Sequence, residues 1–318
     1  MPPRVTKRDM AWRARREVDA SRVDSAPLSR PSSPPSGGLP DPVSRSARPD
    51  LLALGEAHLG RVERAQLRII RRSFEPGAVD GTLRWFQRRV GARWIDLCTR
   101  NLRRVHGVDR LPPLDPSKSY LCVCNHRSFF DLFVVTTVLV LEGMSHRMLF
   151  PVRSNFFYDH PLGFLVNGAM SFFAMYPPVF RERQRVALNL AGIDEIVWLL
   201  QRGGAFVGVH PEGTRKKDDD PYTLLPAQSG VGRIIRHSRA TVLPVFVNGL
   251  RQSGLVDQVM GNATGKGDPV HVVFGSPVDF GGLLEQPPTP KLYKQIAEKT
   301  VSAIRVLGEE EREIRRSP

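Results

Sequence analysis

A chain of 318 residues with 41% hydrophobic and 25% charged content is long and apolar enough to bury one large core or two modest ones. Its formal net charge of +14 and pI near 10.4 predict an anionic partner, whether nucleic acid, a membrane surface or a phosphorylated small molecule. Cys98, Cys122 and Cys124 have neither metal-type nor thioredoxin-type spacing, which argues against disulfide staples and for a reducing compartment. No apolar run reaches the roughly 18 residues of a spanning helix, and the basic N-terminus has no apolar segment behind it, so a cytoplasmic, peripherally membrane-associated protein is expected.

In chain order, residues 1–50 read as a disordered basic tail, because six prolines between Pro27 and Pro42 lie among serine and glycine with few large apolar residues. Residues 51–112 form a basic helical region. From Leu51 to Arg110 thirteen arginines face six acidic residues, a surplus of seven that supplies half of the net charge. Between Thr82 and Arg104 the residues Leu83, Phe86, Val90, Trp94, Leu97 and Leu102 recur at helical spacing, with arginines largely on the other faces. Two readings follow: an amphipathic helix at an anionic membrane surface, or a core-docked helix with a solvated arginine face.

Residues 113–305 alternate strand and helix, the signature of an α/β domain with a mostly parallel mixed sheet flanked by helices. Expected strands are Ser119–Cys124, Met148–Val152, Ala205–Val209, Thr241–Val247 and Val270–Phe274. Expected helices start at Asp131 and span about Arg183–Gln201 and Val231–His237. Residues 306–318 read as a charged C-terminal tail.

Within the run Asn125-His126-Arg127-Ser128-Phe129-Phe130-Asp131, His126 ends a strand and Asp131 opens a helix, so imidazole and carboxylate can form a base and its orienter. Pro211-Glu212-Gly213-Thr214-Arg215 follows another strand and gathers a carboxylate, a flexible glycine, a hydroxyl and a guanidinium where open α/β sheets bind ligands. Pro244 lies inside a strand, which implies an edge, a bulge or a close ligand. His210 is a rival base or a pocket-lining residue. Cys124 is read as core filler by strand alternation, and Ser128 lacks the surroundings of a hydrolase nucleophile. A metal site from His126, Asp131, His210 and Glu212 is chemically conceivable, but a metal-free explanation suffices.

Together these blocks resemble the glycerolipid acyltransferase superfamily: Asn125–Asp131 its first block, Pro211–Arg215 its third and Val242-Leu243-Pro244-Val245 its fourth, with about 80 residues between the first and third. The resemblance implies transfer of a fatty acyl group from an acyl thioester, acyl-CoA or acyl carrier protein, to the hydroxyl of a lysolipid or glycerol phosphate. It implies His126 as general base with Asp131 as orienter, and Glu212, Gly213, Thr214 and Arg215 at the acceptor phosphate. Asn125, Arg127, Ser128 and Pro244 would line the pocket. The second block departs from the pattern. Its arginine position, counted from a supposed strand Gly168–Phe173, falls near Ala174, leaving Arg153, Arg181 and Arg183 as candidates. Neither a metal nor a further cofactor is implied, and an anionic membrane is preferred to nucleic acid as the macromolecular partner.

Overall fold

The computed structural model describes residues 48–216, 218–250 and 255–317, which fall in one compact unit. The expected tail lies almost wholly outside the described residues. In chain order the elements are α1 (Leu51–Leu54), α2 (Arg61–Arg72), α3 (Ala78–Phe86), a π turn at Gln87–Gly91 and α4 (Ala92–Thr99). Then follow β1 (Arg103–His106), β2 (Tyr120–Cys124), α5 (Asp131–Leu141), β3 (Arg147–Arg153), α6 (Ser154–Phe157), α7 (Pro161–Ser171) and β4 (Met175–Val179). The chain continues through α8 (Val186–Arg202), β5 (Ala205–Val209), α9 (Ser229–Ser238), β6 (Thr241–Asn248), α10 (Leu255–Thr264), β7 (Val270–Phe274) and α11 (Pro290–Arg316).

The seven strands form one sheet in the order β1-β7-β6-β2-β5-β3-β4, in which only the β6–β7 pair is antiparallel. This is the expected mostly parallel α/β architecture. Strand alternation divides the core into two layers. Leu121, Val123, Val207, Val209 and Phe246 face one layer with Ile196, Leu200, Ile234 and Ile296. Cys122, Cys124, Phe206, Val245 and Val247 face the other with Leu132, Val134 and Val138. Cys124 is therefore core filler, as its position in the strand predicts.

Helix α5 is rich in β-branched residues, which are mediocre helix formers, and it is buried over nearly all its length. Packing rather than propensity holds it. Gly208 in β5 makes this packing fit: a Cβ there would meet Leu132 Cδ2 and Phe150 Cδ1 at 2.8 Å. The missing side chain lets the first turn of α5, and with it Asp131, seat on the sheet.

Several expectations are corrected. The helix expected over Thr82–Arg104 starts earlier, at Ala78, and ends at Thr99, because Arg103–His106 joins the sheet beside β7. Its buried face is Gln87, Ala92, Ile95 and Thr99, while Phe86, Val90 and Leu97 point outward. Gln87 turns inward because its amide donates to the Met148 carbonyl and accepts from the Met148 amide. Gly168–Phe173 is not a strand but the end of α7 and the turn after it; the strand is Met175–Val179, whose prolines are tolerated because β4 is the sheet's edge. Pro244, conversely, is not at an edge, since β6 lies between β7 and β2. Its carbonyl accepts from Gly275, just past the last residue of β7, so its missing N–H falls where that neighbour has ended. The segment 306–316 is no separate tail: α11 runs through it to Arg316, burying Leu307, Gly308 and Glu311.

Candidate active site

Strands β2, β3, β4, β5 and β6 all point the same way, so the segments that follow them converge on one edge of the sheet. That edge is the usual ligand position in such sheets. It carries His126 after β2, Arg153 at the end of β3, Arg181 just beyond β4, and His210 to Arg215 after β5.

His126 Nδ1 lies 3.3 Å from Asp131 Oδ2. The same oxygen accepts the amides of Arg127 and Ser128, each at 2.8 Å. An oxygen receiving two backbone donors acts as acceptor towards the imidazole as well, so Nδ1 carries the proton and Nε2 is left as a bare base. Asp131 is fully buried, and its Oδ1 has no hydrogen-bond partner. Burial pushes its carboxyl up to about 6, against the pull of His210 and the two amides. Burial, together with the Arg215 cation, holds His126 down to about 4. The pair at neutral pH is thus a carboxylate hydrogen-bonded to a neutral imidazole, not an ion pair.

His210 stacks on His126 with ring centroids 3.7 Å apart and planes 10° from parallel. Its Nδ1 faces the carbonyls of Cys124 and Asn125, both at 3.0 Å, so that nitrogen is the donor. Burial and the neighbouring His126 lower its pKa to about 4. His210 thus braces the base and the strand end that presents it. His126, Asp131 and His210 place one ligand atom each within 4.8 Å of one another. Glu212 is directed elsewhere, to two backbone amides, so the expected four-residue set is reduced to these three.

The third block separates into a bracket and a charge. Glu212 is buried; its Oε1 accepts the His126 amide at 2.9 Å and its Oε2 the Leu225 amide at 2.7 Å. It ties the base's backbone to the loop before α9, and burial raises its pKa. Gly213 has φ +69°, where a side chain is strained and would meet Gln228 Cγ at 2.8 Å, and its amide closes a turn onto the His210 carbonyl. Thr214 and Arg215 are exposed. Thr214 Oγ1 accepts from Arg181 at 3.3 Å, so the loop after β4 returns an arginine to this block. Arg153 is exposed on the neighbouring strand end, and the side chain of Arg183 lies outside the described residues.

The other residues expected to line the pocket have the following partners. Asn125 pairs with both the amide and the carbonyl of Val247, fastening the end of β2 to β6. Ser128 is buried with its Oγ accepting the Phe130 amide, which removes the hydrolase-nucleophile reading. Pro244 pairs with Val123 inside the sheet, before the strand end that bears the base. Arg127 reaches out to Asp218 and to the Asp220 carbonyl, and Lys216 also meets Asp218. Sequence reading missed these two partners. Their only signal was the mixed charge run Arg215-Lys216-Lys217-Asp218-Asp219-Asp220.

Residues 102–248 match the family model described as Acyltransferase. This match runs from before β1 to the end of β6 and agrees with the motif resemblance. Among solved structures the chain is similar to PlsC, the 1-acyl-sn-glycerophosphate (LPA) acyltransferase of Thermotoga maritima. The identity is 18% over 82% of this chain and 87% of that one, with a TM-score of 0.45. No curated protein matches the chain.

Proposed function

We propose that the chain is an O-acyltransferase that moves a fatty acyl group from an acyl thioester, acyl-CoA or acyl carrier protein, to the hydroxyl of a lysophospholipid or glycerol phosphate. The observation that carries this reading is the buried Asp131 carboxylate on Nδ1 of His126, which leaves Nε2 neutral and unprotonated at the sheet edge. Nε2 takes the proton of the acceptor hydroxyl as its oxygen attacks the thioester carbonyl. The C–S bond then breaks, the thiolate leaves, and the imidazolium returns the proton to sulfur. Asp131 stabilises that imidazolium and holds the tautomer between turnovers. A thioester is already activated, so no covalent acyl-enzyme is required.

Arg215, exposed and one residue from Thr214, is the first charge partner for the acceptor phosphate, with Arg181 beside it through Thr214 and Arg153 as a further candidate. Glu212 and Gly213 serve that loop by shaping it. Attachment to an anionic membrane through residues 51–112 belongs to the same reading. Trp85, Phe86, Val90 and Leu97 are exposed apolar residues on α3, the π turn and α4, interspersed with Arg88, Arg89 and Arg93. No helix among the described residues is long and apolar enough to cross a membrane.

The test is thiol release from acyl-CoA with lysophosphatidic acid, run beside His126→Ala and Asp131→Asn. The expected result is activity in the wild type and its loss in His126→Ala; undiminished activity in that variant refutes the mechanism. Activity on another lysolipid alone keeps the chemistry and changes the acceptor. Co-sedimentation with anionic liposomes, compared with retention of duplex DNA, tests the choice of macromolecular partner.

A further inference from the structure

We propose that the Asp218 carboxylate is an internal stand-in for a ligand phosphate, holding Arg127 and Lys216 together at the mouth of the site until a phosphate-bearing substrate displaces it. Each carboxylate oxygen is taken by a different cation: Oδ1 by the Arg127 guanidinium at 3.2 Å and Oδ2 by Lys216 Nζ at 2.7 Å. Two cations converging on one small oxyanion is also how phosphate is held, and a phosphate brings more charge and more acceptor oxygens than a carboxylate.

The position of the pair is what ties it to the reaction. Arg127 directly follows the base His126, Lys216 directly follows Arg215, and the Lys216 amide donates to the His126 carbonyl at 3.4 Å. The site thus has two cationic groups. Arg215 and Arg181 have no acidic partner among the described residues, whereas Arg127 and Lys216 are both closed by Asp218. The closure is also one-sided in exposure. The cations' side chains are 12% and 14% exposed, but that of Asp218 is 51% exposed. An acid that open to water is held weakly, by a few-fold in equilibrium constant for each pair, and can swing out without unfolding anything. Arg127 stays in place when it does, because it also donates to the carbonyls of Asp218 and Asp220.

A second phosphate site beside the base suits a reaction whose donor and acceptor both carry phosphate; this clause rests on the proposed acyl transfer, while anion binding itself does not. The experiment uses the full chain as wild type, Asp218→Asn and Asp219→Asn. Asp219 adjoins Asp218 and makes no ion pair with Arg127 or Lys216, so its variant makes the same change in net charge without releasing the pair. Inorganic pyrophosphate affinity is measured by calorimetry, and KM is measured for acyl-CoA and for lysophosphatidic acid.

Asp218→Asn should bind pyrophosphate about three- to tenfold more tightly than wild type, with Asp219→Asn at the wild-type value, and adding Lys216→Ala should abolish the gain. The KM that falls by a similar factor identifies whose phosphate displaces Asp218. If no thiol is released from any acceptor but the pyrophosphate difference persists, the anion site stands and the acyl-transfer reading falls. Equal affinities in wild type and Asp218→Asn, or equal gains in both variants, overturn the proposal.

Discussion

Asp131→Asn separates two effects of one buried carboxylate, one on catalysis and one on stability, and they are expected to move in opposite directions. In the wild type, burial raises the Asp131 pKa from 3.8 to about 6, so at pH 7 the group is ionised in both states but its charge is less favourable in the folded one. That shift corresponds to about 3 kcal/mol of destabilisation at neutral pH. Asparagine removes the charge. Its carbonyl can take the place of Oδ2 and accept from Arg127, Ser128 and His126, but its NH2 then occupies the place of Oδ1, where no partner exists. A buried unsatisfied donor costs about 1–3 kcal/mol, so the variant should be as stable as the wild type at pH 7 or more stable by up to about 2 kcal/mol.

The sign with pH follows from the raised pKa. Well below pH 3.8 Asp131 is protonated in both folded and unfolded states and its penalty is gone; the penalty grows as pH rises from 3.8 to about 6 and is level above that. The stability difference between variant and wild type should therefore shift by about 2 kcal/mol in favour of the wild type on going from pH 7 to pH 4. His126 and His210, both held neutral by burial, lose stability on acidification in both proteins and cancel from the difference to first order. Meanwhile the rate of thiol release should fall by about two to four orders of magnitude, because a neutral amide no longer stabilises the imidazolium. Urea unfolding at several pH values beside the thiol-release assay measures both. A variant that is less stable at pH 7 by a margin that does not change on acidification, or one that keeps its rate, refutes the reasoning.

Three further outcomes are expected. Arg215→Ala should raise KM for a phosphate-bearing acceptor about 10- to 100-fold and move the acid limb of the pH–rate profile to higher pH, since the Arg215 cation helps keep the His126 pKa low; an unmoved limb would separate that charge from the base. Glu212→Gln should cost about 1–3 kcal/mol in thermal or urea unfolding and slow the reaction, because one of the two amides it accepts, from His126 or Leu225, would face an NH2 group. Gly208→Ala should destabilise by about 1–3 kcal/mol, since a Cβ 2.8 Å from Leu132 and Phe150 pushes α5 off the sheet. Its loss of activity should exceed what its stability at the assay temperature explains, because Asp131 moves with the helix.

Much of this site was legible as local pattern. A short apolar strand, a turn and an apolar helix are enough to bring His126 and Asp131 together, because the carboxylate lies on the first turn of the helix that begins just past the loop. The strand following the long helix and the Pro211–Arg215 block were legible for the same reason, since period and flanking glycines act over neighbouring residues. Strand pairing was not. That β4 is an edge and β6 is interior decides the meaning of Pro177, Pro178 and Pro244, and pairing partners lie tens of residues away. The helical region before the sheet misled for a related reason: Phe86, Val90 and Leu97 of its apolar stripe point outward, and a glutamine faces the core because Met148 supplies both of its partners.

By itself, then, the sequence determined the class of fold and the pairing of His126 with Asp131, both of which rest on contacts within a few residues or on periodicity. The tertiary structure alone decided what surrounds His126. The parallel register of β2 and β5 stacks His210 on His126, and Glu212 turns from an expected ligand into a bracket because two backbone amides reach it first. Arg181 comes back across the sheet edge to Thr214, and Asp218 closes on Arg127 across a loop. Each of these depends on distance in space between residues far apart in the chain, which no spacing of residue types encodes.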